Sequence, residues 1–272
     1  MAFELFRYDG KKVVVVGGAT GMGAAAAKTA ASAGAEVVVM DVADVAYPVD
    51  QFIKVDLREK ESVDAACDQL DGPIHALFSC AGVGDGTAGI QYINFIAHRH
   101  MIEKLIGEGK LGKGSAVALI SSVAGIGWRE HLDTLLEYIA TPDWEAASAW
   151  IDAHENTATY TFAKQAVNTY VAHEAHRLLQ KGIRINCILP GPTDTPLAQA
   201  NAELWLGFGK DYRESLGLGP MQAEQMGNGI VFLCSDAASG IAGETLTIDV
   251  GQVSSALTKS VPDPIVDLLL TM

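Results

Sequence analysis

The chain holds 272 residues, 49% hydrophobic and 19% charged, with 28 glycines and 9 prolines. A chain of this size buries roughly three quarters of its unfolded surface. The apolar content excludes disorder, and the aperiodic glycines exclude a collagen-like repeat. Net charge is −14 without an acidic block, so phosphate backbones repel the chain and nucleic acid is not an expected partner. No apolar run approaches the ~20 residues that cross a bilayer. The first residues mix acid and base and resemble no secretory signal, so the reading is a soluble, cytoplasmic protein without a membrane partner. Cys67, Cys80, Cys187 and Cys234 are scattered through apolar stretches. They read as small buried hydrophobes, with neither a zinc site nor a redox dithiol.

Short β-branched runs alternate with alanine-rich stretches. In chain order, 13–16, 36–40, 52–55, 75–80, 116–121, 183–189 and 245–248 read as strands. Helical patterns cover 22–33, 59–70, 89–107, 158–180 and 222–234. Runs without polar alternation, such as 13–16, imply strands buried on both faces. The fold class is α/β: one domain over 1–272, a parallel sheet of about seven strands, doubly wound, with helices on both faces and right-handed crossovers. The stretch from Asp41 to Gln51 barely suffices for a parallel crossover, so its helix is short or missing. A helical insertion at about 128–156 interrupts the alternation. Leu132, Leu135, Leu136 and Ile139 recur at helical spacing, then Thr141-Pro142-Asp143 leads into Trp144, Ala147, Trp150 and Ile151. The insertion lines a substrate pocket or covers a subunit interface; the sequence leaves both open.

The run 13–16 leads into Gly17-Gly18-Ala19-Thr20-Gly21-Met22-Gly23 and then a helix. Glycines there permit positive φ, remove Cβ atoms where backbone meets pyrophosphate and let the helix sit close to the strand. The helix start offers free N–H groups and partial positive charge to the anion. The second strand ends at Asp41, 18 residues beyond Gly23, where a carboxylate accepts the adenosine-ribose hydroxyls. A 2′-phosphate would meet a like charge, with no Arg or Lys in 17–23 or just after Asp41 to neutralise it. NAD is therefore expected over NADP.

Tyr160 and Lys164 stand at i and i+4, on one helix face. Ser122 ends the fifth strand and Asn94 lies in the helix before it. Taken with Gly17-x-x-x-Gly21-x-Gly23, Asp41, Asp56, Cys80-Ala81-Gly82 and Pro190-Gly191-x-x-x-Thr195, the order resembles the short-chain dehydrogenase/reductase family over nearly the whole chain. The insertion and short second crossover are similar to its bacterial hydroxysteroid dehydrogenase/carbonyl reductase branch.

The resemblance implies a Rossmann-like sheet and a homotetramer or homodimer. It also implies roles. Gly17, Gly21 and Gly23 take the pyrophosphate, Asp41 the ribose and Asp56 the adenine amino group, with Ala81 and Gly82 as a wall. Thr20, Met22, Leu57 and Pro190 complete the cofactor contacts. Backbone groups of Ile188 and Thr193, with the Thr195 side chain, orient the carboxamide. Ser122 polarises the substrate oxygen, and Tyr160 exchanges its proton. Lys164 binds the nicotinamide ribose and biases Tyr160, and Asn94 anchors a water chain to Lys164. The chain departs from the family at Val16, where threonine is usual, and at Ser79-Cys80, where paired asparagines brace the central strand. Enoyl-reducing relatives space tyrosine six or seven residues before lysine, positions held here by Ala158 and Thr157.

A free tyrosine, pKa about 10, is almost wholly protonated at neutral pH. A neighbouring ammonium and an oxidised nicotinamide both favour the phenolate. No metal is needed, because the cofactor carries the hard chemistry. Between 194 and 221, Leu197, Trp205, Leu206, Phe208, Tyr212, Leu216, Leu218 and Met221 suggest a mobile apolar substrate loop. His98, His100, His173 and His176 read as solvated or capping. The tail through Ile265 and Leu270 packs on the body or on another subunit. The expected reaction is hydride transfer between NAD and a hydrophobic secondary alcohol or ketone, such as a hydroxysteroid. An aromatic or terpenoid alcohol, or an NAD-sensing scaffold without turnover, are the alternatives.

Overall fold

The structure is a computed structural model that describes residues 2–272. Its strands are β1 (Lys12–Val16), β2 (Glu36–Asp41), β3 (Gln51–Lys54), β4 (Ala76–Ser79), β5 (Ala116–Ile120), β6 (Arg184–Pro190) and β7 (Thr245–Ile248). All pair in parallel, in the order β3-β2-β1-β4-β5-β6-β7. The order reverses between β1 and β4, which opens a crevice at the carboxyl ends of those strands.

Side chains of β1 alternate between two cores. Val14 and Val16 join Val63 of α2 (Lys60–Asp68), Ile102 of α3 (Ala97–Gly107) and Val167 of α6 (Tyr160–Gln180). Val13 and Val15 join Ala26 and Ala30 of α1 (Gly21–Ser32) and Ile230 of α10 (Ala223–Cys234). All four valines are fully buried, which explains a strand with no polar position. Between β2 and β3 no helix forms. The Asp50 carboxylate accepts the Val37 N–H at 2.7 Å, and the Tyr47 hydroxyl donates to the Gly18 carbonyl.

The insertion consists of a 3-10 segment (Val123–His131), α4 (Leu132–Ile139) and α5 (Trp144–Ala153). Tyr138 is fully buried, its ring 5.2 Å from Phe95, 4.9 Å from Trp150 and 5.6 Å from Phe162. Arg99 of α3, also buried, donates to the Ile139 carbonyl (3.2 Å), the Thr141 hydroxyl (2.9 Å) and the Asp143 carbonyl (3.0 Å). The hairpin thus covers α3 and α6. Residues 128–156 line neither cavity at the strand ends, which removes the pocket alternative.

Three short helices, α7 (Pro196–Gln199), α8 (Ala202–Trp205) and α9 (Lys210–Ser215), follow β6. They are framed by a parallel pairing of Thr193–Asp194 with Met221–Gln222. After β7 come α11 (Gln252–Leu257) and α12 (Pro264–Leu269). The tail docks on its own chain: a Cβ on Gly127 would stand 2.5 Å from the Leu269 carbonyl oxygen, and Gln165 donates to the Met272 carbonyl at 2.5 Å.

Candidate active site

The glycine turn is closed backbone to backbone. Gly17 has φ +80°, and a Cβ there would lie 2.4 Å from the Ala81 backbone; one on Gly23 would lie 2.1 Å from the Gly17 carbonyl oxygen. The first amides of α1 have no partner within the helix. Asp41, at the end of β2, is held facing this turn by the N–H groups of Ala19 (2.8 Å) and Ala43 (2.9 Å). A cavity of about 420 Å³ opens here, lined by Gly17, Thr20, Gly21, Met22, Gly23, Asp41, Asp56, Leu57, Ala81 and Gly82. A cradle that any Cβ would fill, free helical amides and a fixed carboxylate suit the diphosphate and ribose of a dinucleotide.

One member of that set is otherwise engaged. The Asp56 carboxylate accepts the Arg58 N–H (3.0 Å) and its Nε (2.9 Å), and the guanidinium holds it below the usual carboxylate range. Arg58 borders the same cavity, a cation that sequence reading did not place there.

Ser122 follows β5 in extended backbone and accepts the Ala124 N–H at 3.1 Å. Tyr160 opens α6. Thr159 caps that helix by accepting the Phe162 N–H (3.2 Å), and the Tyr160 N–H donates to Asp85 Oδ1 at 2.7 Å. Burial raises the phenol to about 12; the Ser122 hydroxyl opposes this and the Asp85 charge adds to it. Lys164, one turn on, is 3% exposed and donates to the Ile120 carbonyl at 2.9 Å. Burial lowers it to about 8. Its Nζ lies 5.4 Å from the Tyr160 ring centre. As pH rises the buried amine therefore loses its proton before the phenol does, and below about pH 8 it remains an ammonium beside Tyr160.

Asn94 sits in a π-helical turn (Tyr92–Ile96) and clasps Val83, accepting its N–H at 2.8 Å and donating to its carbonyl at 2.9 Å. It borders neither cavity. Its Oδ1 and Lys164 Nζ both approach Gly82, where a Cβ would lie 3.2 Å from the first and 3.4 Å from the second.

A second cavity, about 620 Å³, brings Ser122, Tyr160, Lys164, Pro190, Thr193 and Thr195 together. It shares Met22, Cys80, Gly82, Thr195 and Leu197 with the first, so the two form one crevice. Leu204, Trp205 and Phe208 contribute apolar lining, as do Ile265, Leu269 and Met272 of the tail. The Trp205 ring lies 5.0 Å from that of Tyr160.

Several expectations need correction. Ile188 is two residues inside β6, its carbonyl bonded to the Ser121 N–H, and its backbone is consumed by the sheet. Leu206, Tyr212, Leu216, Leu218 and Met221 do not border the cavity; Leu216 and Leu218 are exposed and Met221 joins the core under β1. Cys80 is only partly buried and lines the crevice. His98 is not solvated: it is buried, within 3.1 Å of the Ala81 carbonyl, and burial lowers it to about 4. The Ser79 hydroxyl has no partner, in keeping with loss of the asparagine brace. Asp85, 75 residues from Tyr160 in sequence, carried no local signal. Among the described residues no three His, Cys, Asp or Glu side chains could share a metal ion, and no helix is long and apolar enough to cross a membrane.

Comparison with known proteins agrees with this architecture. A family model described as NAD dependent epimerase/dehydratase matches residues 13–177, and one described as enoyl-(acyl carrier protein) reductase matches residues 146–252. Coniferyl-alcohol dehydrogenase of Pseudomonas sp. is 27% identical, over 90% of this chain and 97% of the relative. The 3-alpha-hydroxysteroid dehydrogenase/carbonyl reductase of Comamonas testosteroni is 29% identical, over 88% and 95%. The solved 3-alpha-hydroxysteroid dehydrogenase from Pseudomonas sp. B-0831, complexed with NADH, superposes with a TM-score of 0.72 at 25% identity, covering 92% of this chain and 99% of that one. A parallel sheet whose strand order reverses beside a glycine cradle, continued into the Ser122–Tyr160–Lys164 cavity, places the chain in the short-chain dehydrogenase/reductase family of oxidoreductases.

Proposed function

We propose that the chain transfers hydride between NAD and a hydrophobic secondary alcohol or ketone, a hydroxysteroid or similar ring-bearing substrate. One observation carries the reading: Ser122, Tyr160 and Lys164 border an apolar-walled cavity continuous with the cradle of Gly17–Gly23 and Asp41. A bound nicotinamide dinucleotide supplies the hydride acceptor or donor and, when oxidised, a positive charge that favours phenolate. The glycine turn and first α1 amides hold the diphosphate, Asp41 the ribose hydroxyls. Thr193 and Thr195 orient the carboxamide. Ser122 Oγ accepts from Ala124, and its hydroxyl, which hydrogen-bonds Tyr160 here, turns to donate to the substrate oxygen. Tyr160 removes the hydroxyl proton in oxidation and returns it in reduction, help typically worth 10²–10⁴-fold. Lys164 binds the nicotinamide ribose, and its depression to about 8 suits relaying a proton to solvent near neutral pH. Asn94 anchors the water relay from the Val83 wall.

NAD is favoured over NADP because the Asp41 carboxylate is fixed at the ribose end. The one added cation, Arg58, is already paired with Asp56. The four-residue Tyr160–Lys164 spacing argues against enoyl reduction. An aromatic alcohol is the second reading, supported by the Trp205 and Phe208 wall and by the coniferyl-alcohol dehydrogenase relative. Four free cysteines fit a cytoplasmic location. Exposed Leu257 and Leu268, outside both cavities, fit self-association as a homodimer or homotetramer.

The test is an absorbance screen of NAD⁺ reduction over steroid, terpenoid and aryl alcohols, with calorimetric titration of NADH. Turnover on a ring-bearing alcohol is expected, with Tyr160→Phe keeping cofactor affinity and losing at least ~10²-fold in rate. Near-parental turnover in Tyr160→Phe removes the acid/base assignment. Cofactor binding without turnover on any alcohol favours a sensing scaffold.

A further inference from the structure

We infer that the substrate cavity selects uncharged alcohols and rejects those carrying a carboxylate or phosphate, and that Asp85 and Glu203 set this selectivity. The inference rests on the dehydrogenase reading above and narrows its substrate class. Asp85 and Glu203 both line the cavity. Asp85 is fixed there by accepting the Tyr160 N–H at 2.7 Å, so its charge stays beside the phenol. Glu203 lies two residues before Trp205, the residue whose ring meets Tyr160 at 5.0 Å. Among the described residues neither carboxylate has a Lys, Arg or His partner within 4.0 Å.

Among the described residues the only cation bordering this cavity is Lys164. It is 3% exposed and bonded to the Ile120 carbonyl, one helical turn from Tyr160. The rest of the lining combines apolar Leu204, Trp205, Phe208, Ile265 and Leu269 with the neutral hydroxyls of Thr161, Thr193 and Thr195, and so offers an anion no counter-charge. A second charged group on the substrate would lose its hydration against apolar side chains and face two like charges. A ring with hydroxyl, carbonyl or amide substituents meets neither cost.

The experiment uses two near-isosteric probes, 4-hydroxycyclohexanecarboxamide and 4-hydroxycyclohexanecarboxylate. It measures kcat/KM with NAD⁺ and, by calorimetry, binding to the NAD⁺-loaded protein at low ionic strength. The parent should prefer the amide about tenfold or more, chiefly through KM. The double substitution Asp85→Asn with Glu203→Gln keeps an acceptor for the Tyr160 N–H and should narrow the ratio to about threefold or less. Added salt should narrow it in the parent but not in the variant, because screening acts only where the charges remain. Equal use of both probes by the parent, a ratio untouched by the double substitution, or failure of the amide to bind overturns the inference. Absent turnover with preserved preference in binding would instead remove the dehydrogenase reading and leave the charge selectivity standing.

Discussion

Lys164 should cost the fold stability that its removal returns. Its amine is 3% exposed and depressed from 10.5 to about 8 by burial. At about 1.4 kcal/mol per pKa unit, that depression penalises the folded state by roughly 3 kcal/mol at neutral pH. The folded-state value is the lower one, so between about pH 8 and 10.5 the unfolded chain binds more protons and stability rises with pH. Below that window the penalty is complete; above it the penalty is gone. In Lys164→Met the chain loses the penalty but leaves the Ile120 carbonyl without its 2.9 Å donor, an opposing cost of about 1–2 kcal/mol. The net expectation at pH 7 is a gain of about 1–2 kcal/mol, or about 2–4 °C in melting temperature for a chain of this length. Urea unfolding of parent and variant at pH 7 and pH 10 measures it without cofactor. The gain should shrink or reverse at the higher pH while turnover is lost at both. A variant less stable than its parent at pH 7, or a difference that does not move with pH, refutes the reasoning.

Asp41→Ala removes the like charge facing a 2′-phosphate. The ratio of kcat/KM for NAD⁺ to that for NADP⁺ should fall about tenfold, one removed repulsion of about 1.4 kcal/mol; a parent that already prefers NADP⁺ contradicts the charge argument. Gly23→Ala pushes a Cβ to 2.1 Å from the Gly17 carbonyl oxygen. It should destabilise by about 3 kcal/mol and weaken NADH binding measured by calorimetry. Arg99→Ala strips the donors from the buried Ile139 carbonyl and from Asp143. Urea unfolding should show a loss of about 3 kcal/mol, with hydrogen exchange rising first in α4 and α5.

The sheet was legible because its signal is local. Four consecutive buried valines in β1 and glycines at the β1–α1 corner are demanded by backbone sterics within a few residues. Tyr160 and Lys164 likewise share one helix turn. What escaped the sequence is contact between distant segments. Asp85 reaches the first amide of α6 across 75 residues, and Leu269 and Met272 close a cavity begun by β5. Arg58 is drawn beside the dinucleotide cradle by its own neighbour Asp56. The protonation order of Lys164 and Tyr160 depends on burial that no spacing encodes. Ile188 shows the converse: a backbone group that the family resemblance implied would meet the cofactor is spent on a strand ladder.

The placement of Trp205 gives the molecule an optical reporter of its own. Of four tryptophans, it alone borders the described crevice, while Trp144 and Trp150 are embedded in the aromatic cluster of the hairpin. Indole emission from Trp205 should respond to whatever enters beside the Tyr160 ring, against a steady background from the hairpin. Replacing Trp205 with phenylalanine would isolate that contribution, so occupancy of the site could be followed by quenching with no label and no turnover.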